Sequence, residues 1–296
     1  MYFTTTSQVF LDGNWVQARD ANTTLFSQTL HYGYGVFDGM RSYKNAEGCN
    51  IFKAKAHFDR LIASAEKLHL RIPYTSEELV RIAYKLLEQN KLYTAYIRPL
   101  IFSGPNMELN TDSDVHLFIG AWPWKKYLGY EPVDVMVSQF VKPGKDHTLL
   151  NAKIVGNYTN SILASSQAKK LGYDEALMLD PEGYVAEGPA ANFFIEKDNV
   201  IYTPPTDYAL PGITRQTILD LAQQWGIQTV ERRIHLDEVY DADYAFFTGT
   251  ASEITPIGSV NGEKVTAEWD DTSAHMLYMM YRQLVMNNEL QGLTIV

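Results

Sequence analysis

Lys153 lies in Ala152-Lys153-Ile154, just ahead of a stretch that reads as a helix, with Ile154, Ile162, Leu163 and Leu171 as its apolar positions. Two strands are predicted after it, DEALMLD and YVAEG. They are joined by Asp180-Pro181-Glu182-Gly183, where proline presets φ and glycine accepts a positive one. Glu187 ends the second strand, directly before the breaker pair Gly188-Pro189. A lysine ahead of a helix and a carboxylate at a strand end suit a Schiff base between the lysine and pyridoxal phosphate, with the acid holding the pyridine nitrogen protonated. To attack an aldehyde the lysine must lose its proton, which calls for partial burial or a cationic neighbour. Without that chemistry, Lys153 reads as a surface lysine and Glu187 as an exposed carboxylate.

The surrounding elements supply further candidates. Leu210-Pro211-Gly212-Ile213-Thr214 opens a helix with Ile218, Leu219, Leu221 and Ala222 as its apolar positions, and free N–H groups at a helix start suit a phosphate. Tyr96 and Arg98 lie two apart on the strand TAYIRPLIF and so share a face. Residues 8–19 read as a hairpin turning at Asp12-Gly13. Two amphipathic helices, 54–70 and 76–90, precede that strand, and VHLFIGA at 115–121 follows it as another. On periodicity alone, Arg60 of the first helix reads as a snorkelling side chain. Residues 123–133, rich in proline, glycine and aromatics, are expected to link an N-terminal α/β domain, 1–122, to a C-terminal one, 134–296, that carries Lys153. NFFIEKDNVIYTPP reads as a strand pair turning near 197–199, and YAFFTG as a strand leading into the tight turn Gly249-Thr250-Ala251. A final helix is expected from Thr272 to Asn288, with Met276, Leu277, Met280, Leu284 and Val285 inward.

Composition narrows the class. The chain has 296 residues, 46% hydrophobic and 20% charged, enough to bury a sizeable core. A net charge of −10 argues against a nucleic-acid partner. The lone Cys49 excludes an internal disulfide and fits a reducing compartment. No leader pattern or membrane-length apolar run is read, so a cytoplasmic protein is expected. The histidines at 31, 57, 69, 116, 147, 235 and 275 are scattered, with no H-E-x-x-H or close Cys/His cluster, and no metal is expected. HYGYGVFDGM lacks the G-x-G-x-x-G spacing of a dinucleotide loop.

Several segments stand in an order that resembles the fold-type IV pyridoxal-phosphate enzymes, most closely the branched-chain amino acid aminotransferases. They are HYGYGVFDGMRSY at 31–43, HFDRL at 57–61, YIRPLIF at 96–102, KIVGNYTNSILA at 153–164, EGPAANFF at 187–194, LPGITR at 210–215 and GTASEITPI at 249–257. The resemblance implies a two-domain α/β (α+β) fold with the cofactor in the interdomain cleft. It implies pyridoxal 5′-phosphate held by Lys153, Arg60 and Thr214 with Ile213 and Thr250 at the phosphate, Tyr158 at the phenolic oxygen and Glu187 at the pyridine nitrogen. Lys153 would also be the catalytic base. Tyr32, Phe37, Tyr96, Arg98 and Tyr127 would line the substrate pocket, with Thr250 and Ala251 amides at the α-carboxylate. The implied reaction is ping-pong exchange of an amino group between leucine, isoleucine or valine and 2-oxoglutarate, in at least a homodimer. The chain departs from many branched-chain enzymes at GPAAN, 188–192, where it is similar to relatives acting on D-amino acids, primary amines or aminodeoxychorismate, and those activities are the alternatives.

Overall fold

The computed structural model describes residues 2–46, 48–124, 127–129 and 131–286. The chain divides into two compact units. The first gathers the described residues of Met1–Lys125, Ala152–Asn157 and Leu284–Val296. The second holds those of Lys126–Asn151 and Tyr158–Gln283. No helix among the described residues is long and apolar enough to cross a membrane.

The first unit contains β1 (Gln8–Leu11), β2 (Asn14–Gln17), α1 (Gln28–Tyr32), β3 (Gly35–Phe37), β4 (Met40–Asn45), β5 (Gly48–Ile51), α2 (Ala54–Lys67), α3 (Ser76–Gln89), β6 (Ala95–Ser103) and β7 (Val115–Trp122). Its strands form one antiparallel sheet in the order β2-β1-β7-β6-β4-β5, with β3 also on β6. The hairpin turns at Asp12-Gly13 as expected, both with positive φ (48° and 86°), the geometry an Asp-Gly pair adopts at little cost. Phe58, Leu61 and Ala65 of α2 and Leu79, Ala83 and Leu86 of α3 pack with Met40, Ile97 and Ile119 of the sheet. Thr75 and Glu78 form a reciprocal capping box that starts α3.

The second unit contains β8 (Val133–Val137), α4 (Tyr158–Lys170), β9 (Glu175–Leu179), β10 (Val185–Glu187), β11 (Asn192–Lys197), β12 (Val200–Thr203), α5 (Ile213–Gln224), β13 (Gln228–Glu231), α6 (Leu236–Tyr240), β14 (Tyr244–Gly249), β15 (Glu253–Val260), β16 (Glu263–Lys264) and α7 (Ser273–Met286) up to Gln283. The sheet runs β10-β9-β8-β15-β14-β11-β12-β13, and β10 pairs with β11 as well as β9, so six strands close on themselves. Val135, Leu177, Phe193, Ala245, Phe247 and Ile257 fill its core.

Three expectations need correction. The unit boundary falls inside 123–133, but Lys153 packs with the first unit and not with the C-terminal one. Backbone pairing is the reason: Phe37 N–H donates to Lys153 O at 3.1 Å, Val155 N–H to Gly35 O at 2.9 Å and Gly156 N–H to Gly33 O at 3.1 Å. Gly33 is required there, since it has φ 67° and a Cβ on it would stand 2.6 Å from Gly156 Cα. The helix after Lys153 starts only at Tyr158 and buries Ser161, Ala164, Ser165 and Ala168, while Ile162, Leu163 and Leu171 are exposed. Small side chains let α4 lie close on the sheet, where Ala164 and Ala168 meet Met136, Ala176 and Met178. In α7, Ala274, Leu277, Tyr281 and Val285 are inward and Met276 is exposed; residues 287 and 288 lie outside the described residues.

Candidate active site

In the first unit, Lys153 is half-buried and held by its backbone, its N–H donating to Ser64 Oγ at 3.1 Å and its carbonyl accepting from Phe37. Its ammonium stands 5.1 Å from the centre of the Phe37 ring, and the Arg98 guanidinium stands 4.7 Å from the same ring. Arg98 donates from Nη2 to Tyr96 Oη at 2.9 Å, so the two residues share a face of β6 as their spacing predicts. Arg98 Nε is buried and has no hydrogen-bond partner among the described residues, leaving a donor available for an anion. Trp124, unremarked in the sequence, meets Tyr96 edge-on at 4.7 Å. Gly39 belongs to the same corner, because a Cβ there would overlap Tyr96 Oη. Tyr32 is 48% exposed and its hydroxyl donates to Met107 O at 3.2 Å.

Arg60 does not snorkel. Its Nε and Nη2 fork onto the two oxygens of Asp38, each at 2.8 Å, and Asp38 is fully buried. Asp38 also takes His57 Nδ1 at 2.8 Å and Gly39 N–H at 2.7 Å. His57 and Arg60 lie three apart on α2, so both face this corner. Burial pushes the Asp38 carboxyl up, but Arg60 and His57 outweigh it and hold the group well below the usual carboxylate range. Burial pulls His57 down, more than Asp38 raises it, which makes its imidazole neutral at pH 7. Neither Asp38 nor His57 was singled out in the sequence; a lone aspartate before a glycine reads as a turn residue.

In the second unit, Glu187 ends β10 and is 7% exposed. Its Oε1 stands 2.9 Å from Lys142 Nζ. Its Oε2 accepts from Asn192 Nδ2 at 3.1 Å and from Leu210 N–H at 3.3 Å. Gly188 N–H closes the GPAAN turn onto Ala191 O at 2.8 Å, which brings Asn192 opposite Glu187. Gly212, the residue before α5, has φ −72° and ψ 132°, and a Cβ on it would overlap Asn192 Oδ1. Ile213 and the buried Thr214 then open α5 with the unpaired N–H groups that a helix start provides. Thr250 and Ala251 form the turn between β14 and β15, and Ala251 O accepts from Tyr127 N–H at 3.0 Å. Tyr127 Oη donates to Glu175 Oε2 at 3.0 Å; burial and the Glu175 charge push its hydroxyl up to about 12. Tyr158 is the first residue of α4.

These residues fit pyridoxal phosphate. A nearly buried carboxylate suits a protonated ring nitrogen, a helix start with Thr214 suits a phosphate, and a half-buried lysine suits an aldehyde.

Asp38→Asn removes the charge that Arg60 faces at nearly unchanged volume, and is expected to lower the denaturant stability of the protein by about 3 kcal/mol. A loss below about 0.5 kcal/mol would mean the cluster is not structural. Because His57 is held below its ordinary value, its contribution is complete above about pH 6.5 and falls away as the pH drops through that value. His57→Gln should flatten the fall in melting temperature between about pH 6.5 and 5, and an unchanged slope would contradict this.

The Amino-transferase class IV family matches residues 35–260. A Branched-chain-amino-acid aminotransferase of Pseudomonas aeruginosa is 46% identical over 283 residues, 94% of this chain and 92% of that protein. Among solved structures, a branched-chain aminotransferase from Thermoproteus uzoniensis with norvaline is similar with a TM-score of 0.92 at 37% identity, covering 96% of this chain and 97% of that one. A T.th. branched-chain amino acid aminotransferase, complexed with N-(5′-phosphopyridoxyl)-L-glutamate, has a TM-score of 0.89 at 33% identity over 97% of each chain. The family match spans the lysine segment, the Glu187 strand and the start of α5, and this chain belongs to the class IV aminotransferases.

Proposed function

We propose that this chain is a pyridoxal-phosphate-dependent transaminase exchanging the amino group of leucine, isoleucine and valine with 2-oxoglutarate in two half-reactions. The observation that carries the reading is the Phe37 ring, which has the Lys153 amine 5.1 Å and the Arg98 guanidinium 4.7 Å from its centre. An amine nucleophile and a carboxylate receptor thereby share one apolar surface. The named relatives are branched-chain enzymes, and one carries a phosphopyridoxyl glutamate.

Lys153 would hold the cofactor through Nζ, with Arg60, Ile213, Thr214 and Thr250 at the phosphate, Glu187 at the ring nitrogen and Tyr158 at the ring hydroxyl. Pyridoxal phosphate, when bound, supplies an aldehyde that exchanges with amines and a ring that draws electrons from the substrate's Cα. Lys153 gives up a proton from Nζ and later takes one from Cα. Phe37 offers an apolar wall to leucine, and Arg98 and Tyr96 offer donors to the side-chain carboxylate of glutamate. The amides of Thr250 and Ala251 would hold the α-carboxylate, with Tyr32 and Tyr127 at the pocket's margin.

Against the D-amino acid, amine and lyase alternatives that GPAAN suggests, the branched-chain relatives support the reading above, and Asn192 of that segment is engaged with Glu187 and Leu210. Steady-state rates on L-leucine, D-alanine and an (R)-arylalkylamine test this. L-leucine with 2-oxoglutarate should be the fastest pair, and no turnover of L-leucine would sink the reading.

The reading includes a homodimer at least, in a cytoplasmic setting that the lone free Cys49 suits. Leu30 of α1, Leu25 and Phe26 just before that helix, and Met107 and Leu109 of the loop after β6 are exposed, and the Asn106 N–H to Phe26 O bond joins the two segments into an apolar patch that a second copy would cover. Leu25→Asp with Leu109→Asp should turn a sedimenting dimer into a monomer, and an unchanged dimer would place the interface elsewhere.

A further inference from the structure

Lys142 lies in the loop after β8, and nothing in its sequence surroundings singles it out. Its ammonium stands 2.9 Å from Glu187 Oε1, the two side chains being only 12% and 10% exposed. The same ammonium donates to Ser161 Oγ at 3.3 Å, one turn along α4 from Tyr158. Its backbone N–H donates to Leu179 O at 2.8 Å, which fixes the loop to the end of β9. Lys142 thus ties together β9, the carboxylate at the end of β10 and the first turn of α4. On its other oxygen Glu187 has, among the described residues, the neutral donors Asn192 and Leu210.

A largely buried ion pair brings little net stability, because desolvation offsets much of the attraction. Its effect on the carboxylate is a stronger reason for its presence. We propose that Lys142 is a positioning residue for the pyridine ring: it fixes the Glu187 carboxylate relative to the helix that carries Tyr158, so that the carboxylate is aimed at the ring nitrogen. This rests on the transaminase reading, in which Glu187 meets that nitrogen. Without Lys142 the carboxylate loses the contact that holds its Oε1 and meets the ring nitrogen less squarely, so the protonated ring is supported less well. The ring then draws electrons less strongly, and removal of the proton from the substrate's Cα slows. The ion pair also sets Lys142 apart from Lys153: an ammonium engaged with a carboxylate is a poor nucleophile.

The test uses the full chain reconstituted with pyridoxal phosphate carrying 15N in the ring. Lys142→Met and Lys142→Gln should move the ring 15N resonance downfield, toward that of neutral pyridine. Their kcat for L-leucine should fall about tenfold or more with little change in KM. Lys142→Arg, which keeps the charge, should hold the resonance and restore most of kcat. The glutamine variant carries the test if the methionine variant does not fold. A wild-type resonance and kcat in the neutral variants overturns the role of Lys142. Glu187→Gln separates the two levels: if it too leaves resonance and turnover unchanged, the assignment of Glu187 to the ring fails and the proposal falls with it. If it alters both while the neutral Lys142 variants do not, only the Lys142 proposal fails.

Discussion

A carboxylate with no exposed surface is the constraint on which the first unit depends. Asp38 is removed from water entirely, a state that costs several kcal/mol unless every oxygen is matched. The Arg60 fork, His57 and the Gly39 N–H supply that match. The arrangement pins α2 to the bend between β3 and β4, and the residue just before Asp38 donates its N–H to the carbonyl of Lys153. Arg60 therefore has its plane set by Asp38, and Lys153 has its backbone set by the neighbour of Asp38. The two residues proposed for opposite ends of one cofactor thus share a single anchor.

The second unit applies the same physical rule with the roles exchanged. Around Asp38 a buried carboxylate orients a cation; around Glu187 a cation and two amide donors orient a carboxylate. Gly212 lets the chain pass against Asn192 before α5 begins, so the support of Glu187 and the opening of the phosphate-type helix start depend on one close approach. A substitution at Asn192 or Gly212 thus reaches both features, although neither residue has chemistry of its own to offer.

Much of this was legible in the sequence where the signal is local. The Asp12-Gly13 hairpin, the helices α2 and α3, the turn at 198–199 and the shared face of Tyr96 and Arg98 all follow from spacing and turn chemistry. What escaped is non-local. Periodicity placed Ile162, Leu163 and Leu171 inward, yet α4 approaches the sheet so closely that only alanine and serine fit beneath it. A linear cut gave Lys153 to the C-terminal side, whereas strand-like hydrogen bonds to Gly33, Gly35 and Phe37 return it to the first unit. Arg60 read alone resembles a surface arginine, because its partner Asp38 lies 22 residues earlier and no periodic signal links the two. Lys142 likewise sits in an unpatterned loop and gains meaning only from Glu187.

An amine exchange at Lys153 that starts from a branched-chain L-amino acid and ends on 2-oxoglutarate passes the nitrogen through the protein in two separable steps. The most direct measurement supplies the cofactor-loaded protein with 15N-labelled L-leucine alone, removes the small molecules, and then adds unlabelled 2-oxoglutarate. One equivalent of 4-methyl-2-oxopentanoate per chain in the first step and one of 15N-glutamate in the second is the result predicted, with neither formed by Lys153→Ala. No oxo acid in the first step, or full transfer by the alanine variant, would rule out this exchange at Lys153.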